Sequence, residues 1–556
     1  MEETLKSAIA ELVFAKYGLK TDVELDYPDE RFGDFSTNIA LKLAQQNQLN
    51  PLELAADLAK AINDRLLGEV KTAGVAGPGF VNITLTDAQL IKMMQEQPKQ
   101  PLINQVAVVE FSDPNPFKIL HVGHLYTSVI GDSIANLLSL AGAKVYRVNY
   151  GGDVGLHVAK SMWAILKELG GSNPERLNEV PQPKRMEWMS DAYINGNTAY
   201  ENDPDSKREI TELNKRIYKI QSDADHESPL ARIYWITRQW SYDEFDRFYG
   251  ELNIYFDKYY PESEAAPIGL KIVNEQLEKG VFEKSSGAVI FNGERFGLHT
   301  RVFINSQGLP TYEAKEIGLA ILKKTDFNYD RSVIITGNDI EQYMAVVSKA
   351  LEQFAPELVS NTTHLTHGLV RMEGGRKMSS RIGNYLKAED LLSATEQALI
   401  AEKLTPNRST VLAAVKYSFL KQRLGPDVVY NPSESVSLLG NSGLYLQYAH
   451  ARARSILAKI STPKKAVADN FTPSERRLAL KLSRFNPVVT AASASLSPHL
   501  LCTYIYDLSQ VFSQFYESNR VIGDQRQAIR ANLISVYADR LEQSLKLLGI
   551  DAPHRL

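Results

Sequence analysis

Glu110-Phe111-Ser112-Asp113-Pro114-Asn115-Pro116-Phe117-Lys118-Ile119-Leu120-His121-Val122-Gly123-His124 is the stretch on which the reading of this chain turns. An apolar, β-rich run from Val106 to Phe111 leads into it, prolines break it into a loop, and a helix opens at His121. Two imidazoles three residues apart then share a helical face on the first turn. They stand just past the carboxyl end of a strand. A helix N-terminus directs unsatisfied N–H groups and a positive dipole end outward, which suits an anion. Gly123 between them leaves room for a planar ring or a phosphate to approach the backbone. The pattern predicts a nucleotide site built for phosphates.

A His-x-x-His pair alone is a common pattern, and a metal pair competes with the phosphate reading. No third ligand of suitable spacing follows, and Cys502 is the only cysteine, which excludes a Cys-rich zinc site. No protein-held metal and no zinc are expected. The phosphate reading gains from a second element far down the chain, Lys377-Met378-Ser379-Ser380-Arg381, preceded by Glu373-Gly374-Gly375-Arg376 and followed by Ile382-Gly383-Asn384. By itself this is a glycine-flanked basic loop presenting Lys and Ser donors, and a solvated loop would look the same. In this order, and on a strand–loop–helix frame, the two segments resemble the paired signatures of class I aminoacyl-tRNA synthetases.

Size and composition set bounds. A chain of 556 residues holds about three domains. Its 44% hydrophobic and 23% charged residues are ordinary for a globular protein. The net charge of −4 means that a nucleic acid would have to be gripped by local basic patches, because no global field would steer it. Met1-Glu2-Glu3-Thr4 is acidic and polar, unlike a secretory signal. The run between Arg484 and Asp507 has no charged residue, but its Ser, Thr and Pro content reads as buried helix and not as a membrane span. One cysteine and the lack of an export signal give the expectation of a cytoplasmic protein, and a monomer without a membrane partner is expected beside it.

Residues 1–98 read as a small α+β unit. Leu5, Ile9, Leu12 and Val13 make an apolar stripe on a first helix. Asn50-Pro51-Leu52-Glu53 is a helix start, with Asn as N-cap and Pro at the first helical position. An α/β region over 99–385 follows, in two halves. The first holds Val106–Phe111, a helix from His121 to about Ala141, and Lys144–Asn149. The second holds Arg301–Asn305, a helix around Tyr312–Lys323, Ser332–Gly337, a helix around Glu341–Phe354, and His367–Arg371. Such alternation implies a Rossmann-type, doubly wound parallel sheet with ligands at the carboxyl ends of its strands. A charged, helix-rich insertion of unassigned role lies between the halves, at about 165–285. A stem at 386–404 leads to an all-helical region, 405–556. There Lys416, Lys421, Arg423, Arg452, Arg454, Arg476, Arg477, Lys481 and Arg484 alternate with aromatic residues. This mixture fits single-stranded nucleic acid, with rings for bases and charge for phosphates. It equally fits a helical bundle with a Tyr- and Phe-rich core.

Further segments sharpen the resemblance. Phe32-Gly33-Asp34-Phe35-Ser36-Thr37-Asn38-Ile39-Ala40 looks like the signature of the additional domain that precedes the catalytic core in arginyl-tRNA synthetases, and Ala76-Gly77-Pro78-Gly79-Phe80 is similar to its end. The opening at 110–115, the run from Asn149 to Gly155 and Gln447-Tyr448-Ala449-His450-Ala451-Arg452 match the same family, and the likeness extends over nearly the whole chain.

The resemblance implies activation of L-arginine with ATP to arginyl-adenylate, then transfer to the 3′-terminal ribose of tRNA(Arg), with ATP as substrate and Mg²⁺ on its phosphates. It implies that His121, Gly123, His124, Lys377, Met378 and Ser379 meet ATP, with Asp153 on the adenosine side. Glu110, Ser112, Asn115, His124, Tyr312, Glu316 and Asp339 would meet arginine. Asn38, Tyr448, Arg452 and Tyr516 would meet tRNA. The chain departs from the family pattern in places. Ser380 replaces a loop Lys, for which Lys118 is expected to compensate. Glu316 stands where the family has Asp, Ile340 where it has Gln, and Val154 and His157 where it has Trp and Gln. Two alternatives stay open: a class I ligase for another amino acid, and a tRNA-binding homologue without catalysis.

Overall fold

The computed structural model describes residues 1–374, 386–460 and 470–555. At the N-terminus, α1 (Glu2–Tyr17) buries Leu5, Ile9 and Val13 completely, while Leu12 of the expected stripe is only half-buried. After it come β1 (Phe35–Thr37), α2 (Ile39–Asn47), α3 (Pro51–Arg65), β2 (Val70–Ala76), β3 (Phe80–Leu85) and α4 (Asp87–Gln95). The strands form an antiparallel sheet in the order β1-β3-β2. The start of α3 is capped as its sequence predicts: the Asn50 side chain accepts a hydrogen bond from the Leu52 amide at 3.0 Å, and Pro51 opens the helix.

The Rossmann-type core begins with β4 (Val106–Glu110), α5 (Val122–Leu140) and β5 (Lys144–Gly151). Next come α6 (Leu156–Glu168), α7 (Arg185–Asn202), α8 (Pro204–Ser222), α9 (Pro229–Glu251), β6 (Lys258–Pro261) and α10 (Glu262–Glu278). The chain continues through β7 (Glu283–Ser285), β8 (Ala288–Phe291), β9 (Arg301–Ile304), α11 (Tyr312–Phe327), β10 (Arg331–Gly337), α12 (Glu341–Glu352), α13 (Pro356–Ser360), β11 (Thr362–His367) and β12 (Val370–Met372). The main sheet is five-stranded, in the order β11-β10-β4-β5-β6, and every neighbouring pair is parallel. The chain runs outward one way from β4 through β5 and β6, then outward the other way through β10 and β11. Strand order therefore reverses between β4 and β10, and the crevice at their carboxyl ends is where an open α/β sheet binds ligands. Glu110 closes β4 on one side of it and Gly337 closes β10 on the other.

Three details differ from the sequence reading. The stretch 165–285, expected as helical, supplies the edge strand β6, which pairs with β5 from Val148 to Gly151. Residues 301–305 are not in the parallel sheet: β9 pairs antiparallel with β8 in a separate three-stranded sheet. The strand expected at 367–371 is split in two. β11 ends at His367 and β12 begins at Val370, because Gly368 packs directly against the Pro426–Asp427 backbone.

Among the described residues, the elements of the remainder are helices except for β13 (Val428–Tyr430), which pairs with β12. Its helices are α14 (Ala388–Ala401), α15 (Arg408–Leu420), α16 (Pro432–Ser435), α17 (Gly443–Leu457), α18 (Pro473–Ser483), α19 (Phe485–Ala494), α20 (Pro498–Ser518) and α21 (Gln527–Leu547). One apolar core runs from α1–α4 through α5 into this bundle; separate cores serve the second half of the sheet and the α6–α9 region. The central helix α5 is buried along most of its length and touches α14, α15, α19, α20 and α21. Among the described residues no helix is long and apolar enough to cross a membrane.

Candidate active site

The loop from β4 to α5 is held in an unusual backbone shape. Ser112, Asp113 and Phe117 have φ of 76°, 50° and 67°, the left-handed region that non-glycine residues rarely occupy. Such a conformation persists only where its surroundings determine it, and here they do. Phe111 and Phe117 are fully buried anchors. The Ser112 hydroxyl meets the Tyr249 hydroxyl at 2.7 Å. The Tyr150 amide donates to Asp113 at 2.8 Å, and the Gly152 amide donates to Asn115 Oδ1 at 2.9 Å. The Phe117 amide donates to Ser241 Oγ at 2.9 Å.

This loop delivers the two histidines. His121 is the N-cap of α5, its Nδ1 accepting from the Gly123 amide at 3.1 Å. His124 Nδ1 accepts from the His121 amide, also at 3.1 Å, and the rings stack with centroids 3.7 Å apart. With both Nδ1 atoms accepting, each neutral ring carries its proton on Nε2 as a donor. Burial, then the nearby Lys118 charge, lowers His121 to about 4. Burial and His121 hold His124 well below the usual imidazole range. Both are therefore neutral near pH 7. Gly123 is needed for a reason other than ligand access: a Cβ there would lie 2.9 Å from the His121 ring.

Lys118 places an ammonium beside them. It sits 4.3 Å from the centre of the Tyr193 ring, and among the described residues no carboxylate pairs with it. Burial, then the like charge of Lys160, lowers it to about 8. The result is a desolvated cation next to two imidazole donors at a helix N-terminus, an arrangement that an anion would complete. Lys377, Met378 and Ser379 lie outside the described residues. The chain emerges from that segment against the same spot. Leu386 accepts from the Val122 amide at 2.9 Å, and the Ala388 amide donates to Leu120 at 3.2 Å.

On the sheet side of the crevice, Glu110 is ion-paired with Lys323 and Glu262 with Lys315, all four side chains almost fully buried. Asp113 and Glu316 add two carboxylates for which no described cation provides an ion pair. Burial, then Glu110, pushes Glu316 up to about 8; burial and Glu110 also raise Asp113 well above its usual value. Tyr343 hydrogen-bonds to Glu316. Four carboxyl groups thus face two ammonium groups, and the two without an ion pair hold their protons near pH 7 and gain negative charge where a cationic ligand draws those protons off. Tyr312 is half exposed at the edge, its hydroxyl 3.0 Å from His157 Nδ1 and its ring 4.4 Å from the Lys315 ammonium.

Two expected members stand elsewhere. Asp153 has no exposed surface: it accepts from the Ser263 amide at 2.9 Å, the Ser263 hydroxyl at 2.7 Å and Arg238 Nε at 2.9 Å. Its carboxylate is engaged in joining β5 to the start of α10. Asp339 is exposed on the turn after β10, and its charge is felt by His121 and His367. It belongs to the histidine side of the crevice, and Glu316 faces Glu110 and Glu262 without it. Sequence reading gave no site role to Asp113, Glu262, Lys315, Lys323 and Tyr343. Asp113 lay within the decisive loop and Lys315 beside Glu316, whereas Glu262 follows a strand hidden in a helix-rich stretch.

Of the tRNA-assigned residues, Tyr448 is half exposed on α17. Arg452, one turn on, lies 4.4 Å from the Tyr516 ring on α20, so these residues lie on neighbouring helices. Asn38 is half-buried at the N-cap of α2. The basic alternation in the helical region is mostly consumed internally. Arg476 pairs with Asp34 and Asp87, Arg477 with Glu30, Lys481 with Asp507, Lys421 with Glu434, and Arg454 with Asp539 and Glu542.

Comparison with known proteins agrees along the whole chain. Residues 1–85 match the arginyl tRNA synthetase N terminal domain, and 446–556 match the DALR anticodon binding domain. An arginine–tRNA ligase of Flavobacterium psychrophilum is 29% identical, covering 92% of this chain and 90% of its own length. One from Porphyromonas gingivalis is 27% identical over 100% and 99%. In fold, the chain is similar to the arginyl-tRNA synthetases of Thermus thermophilus, with a TM-score of 0.81 at 24% identity, and Plasmodium falciparum, 0.77 at 20%; each match covers 100% of this chain, with 100% and 99% of the solved chains. Residues 85–425, well over half of the chain, match the model for the catalytic domain of class I (R) tRNA synthetases, and to that family this chain belongs.

Proposed function

We infer that the protein is an arginine–tRNA ligase that activates L-arginine with ATP and esterifies the 3′-terminal ribose of tRNA(Arg). The observation that carries this reading is the pairing of two unlike sites in one crevice. Neutral His121 and His124 with the desolvated Lys118 form an anion site, and Asp113 and Glu316 form a cation site beside it. Guanidinium is planar and always charged, and it offers five donors in a fork that carboxylates match. We assign Glu316 to the guanidinium, with Tyr312, Asn115 and Ser112 along the rest of the amino acid.

In the first step an arginine carboxylate oxygen attacks the α-phosphorus of ATP, and the bond to the β-phosphate bridging oxygen breaks, giving arginyl-adenylate and pyrophosphate. His121 and His124 donate from Nε2 to phosphate oxygens as charge develops on them. Lys118 supplies the positive charge, with Lys377 and Ser379 assigned to the departing pyrophosphate. Charge-assisted hydrogen bonds contribute about 1.5–3 kcal/mol each, so a few of them supply several orders of magnitude in rate. Mg²⁺ would arrive on the ATP phosphates with water in its remaining positions. In the second step the terminal ribose hydroxyl attacks the arginyl carbonyl, and AMP leaves.

We further propose that residues 1–98 and 405–556 hold the tRNA through Asn38, Tyr448, Arg452 and Tyr516, and that the enzyme works as a cytoplasmic monomer. ATP–pyrophosphate exchange, measured across the amino acids with and without tRNA(Arg), tests the reading. Exchange should be specific for arginine and depend on tRNA. Stronger exchange with another amino acid would favour a different class I ligase, and none under any condition would favour a silent tRNA-binding homologue.

A further inference from the structure

Lys416 lies on α15, among the basic residues that the sequence offered to nucleic acid, yet it is only 1% exposed. Its ammonium donates to the Leu252 carbonyl at the end of α9 and to the Gly549 carbonyl in the tail after α21, each at 2.7 Å. Asp132, on α5, is the main group that favours its charge. Gly549 is wedged between the two. It has φ +66°, and a Cβ there would lie 2.7 Å from Asp132 Oδ2 and 3.1 Å from Lys416 Nζ. The network continues from Asp132 to Arg147 on β5 at 3.4 Å, from Arg147 to Asn136 Oδ1 at 2.6 Å, and from Asn136 to the Leu547 carbonyl at 3.4 Å.

One buried polar network therefore joins α5, β5, the end of α9, α15 and the C-terminal tail. It sits in an interface that is otherwise largely apolar, where hydrophobic side chains could provide the stability. A buried ion network adds little net stability over such packing, but each N–H must find its acceptor, so the network favours one relative arrangement of the parts. The helix it holds is the one whose first turn carries His121 and His124. Asp132 stands eight residues beyond His124, about 12 Å along the axis.

We propose that Lys416 is a positioning residue for adenylation: it locks the phosphate-binding helix α5 to the helical domain, so that tRNA held by that domain acts on the histidine pair. The proposal rests on the arginine–tRNA ligase reading. Its test uses the full chain with Lys416→Met, Lys416→Arg, Gly549→Ala and the Lys416→Met/Gly549→Ala double variant. Each is measured for kcat and KM in tRNA-dependent exchange and aminoacylation, with circular dichroism to verify folding. Lys416→Met should lower kcat ten-fold or more while the KM for tRNA stays within about two-fold. Lys416→Arg should restore part of the loss. Gly549→Ala should lower kcat in the same way, and the double variant should fall no further than the worse single variant. A raised KM for tRNA with kcat retained, unchanged kinetics, or additive losses would overturn the proposal. If Lys416→Met does not fold, Gly549→Ala against Asp132→Asn decides by the same split. A wild-type protein that activates no arginine with tRNA present would overturn the ligase reading itself; active wild type with unaffected variants would overturn only the role of Lys416.

Discussion

His121 and His124 both spend Nδ1 on backbone amides, which leaves Nε2–H as the donor on each ring and ties their chemistry to the helix start. His124→Ala should lower the exchange rate by at least a hundred-fold and leave tRNA affinity nearly unchanged, because the proposed role of the ring is a bond to transition-state charge. Filter binding of tRNA beside an exchange assay checks both halves; exchange within a few-fold of wild type would remove the helix from the ATP site. Glu316 supports a second, oppositely signed prediction pair. Glu316→Gln should raise the KM for arginine about 30-fold or more, as expected for losing a buried charged partner worth roughly 2–5 kcal/mol. The KM for ATP should hold, and the preference for arginine over neutral citrulline should narrow. The carboxyl is pushed up to about 8, so in the wild type kcat/KM for arginine should climb with pH until about 8, and the variant should lose that climb. Stability runs the other way. An unfolded Glu ionises near 4.5, so the folded form keeps an extra proton between there and about 8. This group's contribution therefore falls as pH rises through that window. Glu316→Gln should accordingly gain in melting temperature at pH 8 relative to its difference from wild type at pH 5.

At the scale of elements, α5 is the part whose two ends serve different purposes. Its N-terminus carries the histidine pair assigned above to phosphate, and its body is the spine on which the bundle packs. The turn is shaped by Gly123, whose missing Cβ admits the His121 ring. Gly123→Ala should displace that ring by the few tenths of an ångström or more that a 2.9 Å contact demands. Exchange should fall ten-fold or more with only a small change in thermal midpoint, because the site lies at the helix end and not in the core. A large drop in midpoint together with intact specific activity would show that the glycine serves packing. Here the periodicity of the sequence was informative. The strand into Phe111, the helix from His121 and the helix from Tyr312 were all legible. The pairing partners of β6 and β9 were not, since four-residue strands carry too little pattern to reveal which sheet they join.

Across the whole molecule, the N-terminal unit is clamped to the helical domain. Asp34, buried within the Phe32–Ala40 segment, receives two hydrogen bonds from Arg476 at 2.9 and 2.8 Å and one from the Leu85 amide at 2.6 Å. Breaking a buried pair by neutralising one partner costs about 3–5 kcal/mol. Asp34→Asn should therefore loosen the docking, raise the KM for tRNA and leave those for arginine and ATP alone. Hydrogen exchange at the amides of β3 and α18 should rise with it; protection unchanged from wild type would mean that the pair is dispensable. On the outer face, Tyr448→Ala should weaken tRNA binding by about 1–3 kcal/mol if a base stacks there, again without effect on exchange at saturating tRNA. Equal tRNA affinity would take Tyr448 out of the interface.

The sequence by itself determined the α/β core, the strand–loop–helix frame of the histidine pair and the family, because those rest on local periodicity and on residues close together in the chain. It also marked Glu316 and Tyr312, one turn apart on one helix face. Only the tertiary structure decided how charges are spent. Asp153 looked open but is consumed by Arg238 and Ser263, several basic residues of the helical region pair with carboxylates far off in the chain, and Glu262 and Lys315 meet across 53 positions. Whether a charged side chain faces a ligand or another side chain depends on its partners in space, and long-range electrostatic pairing leaves no periodic trace in a sequence.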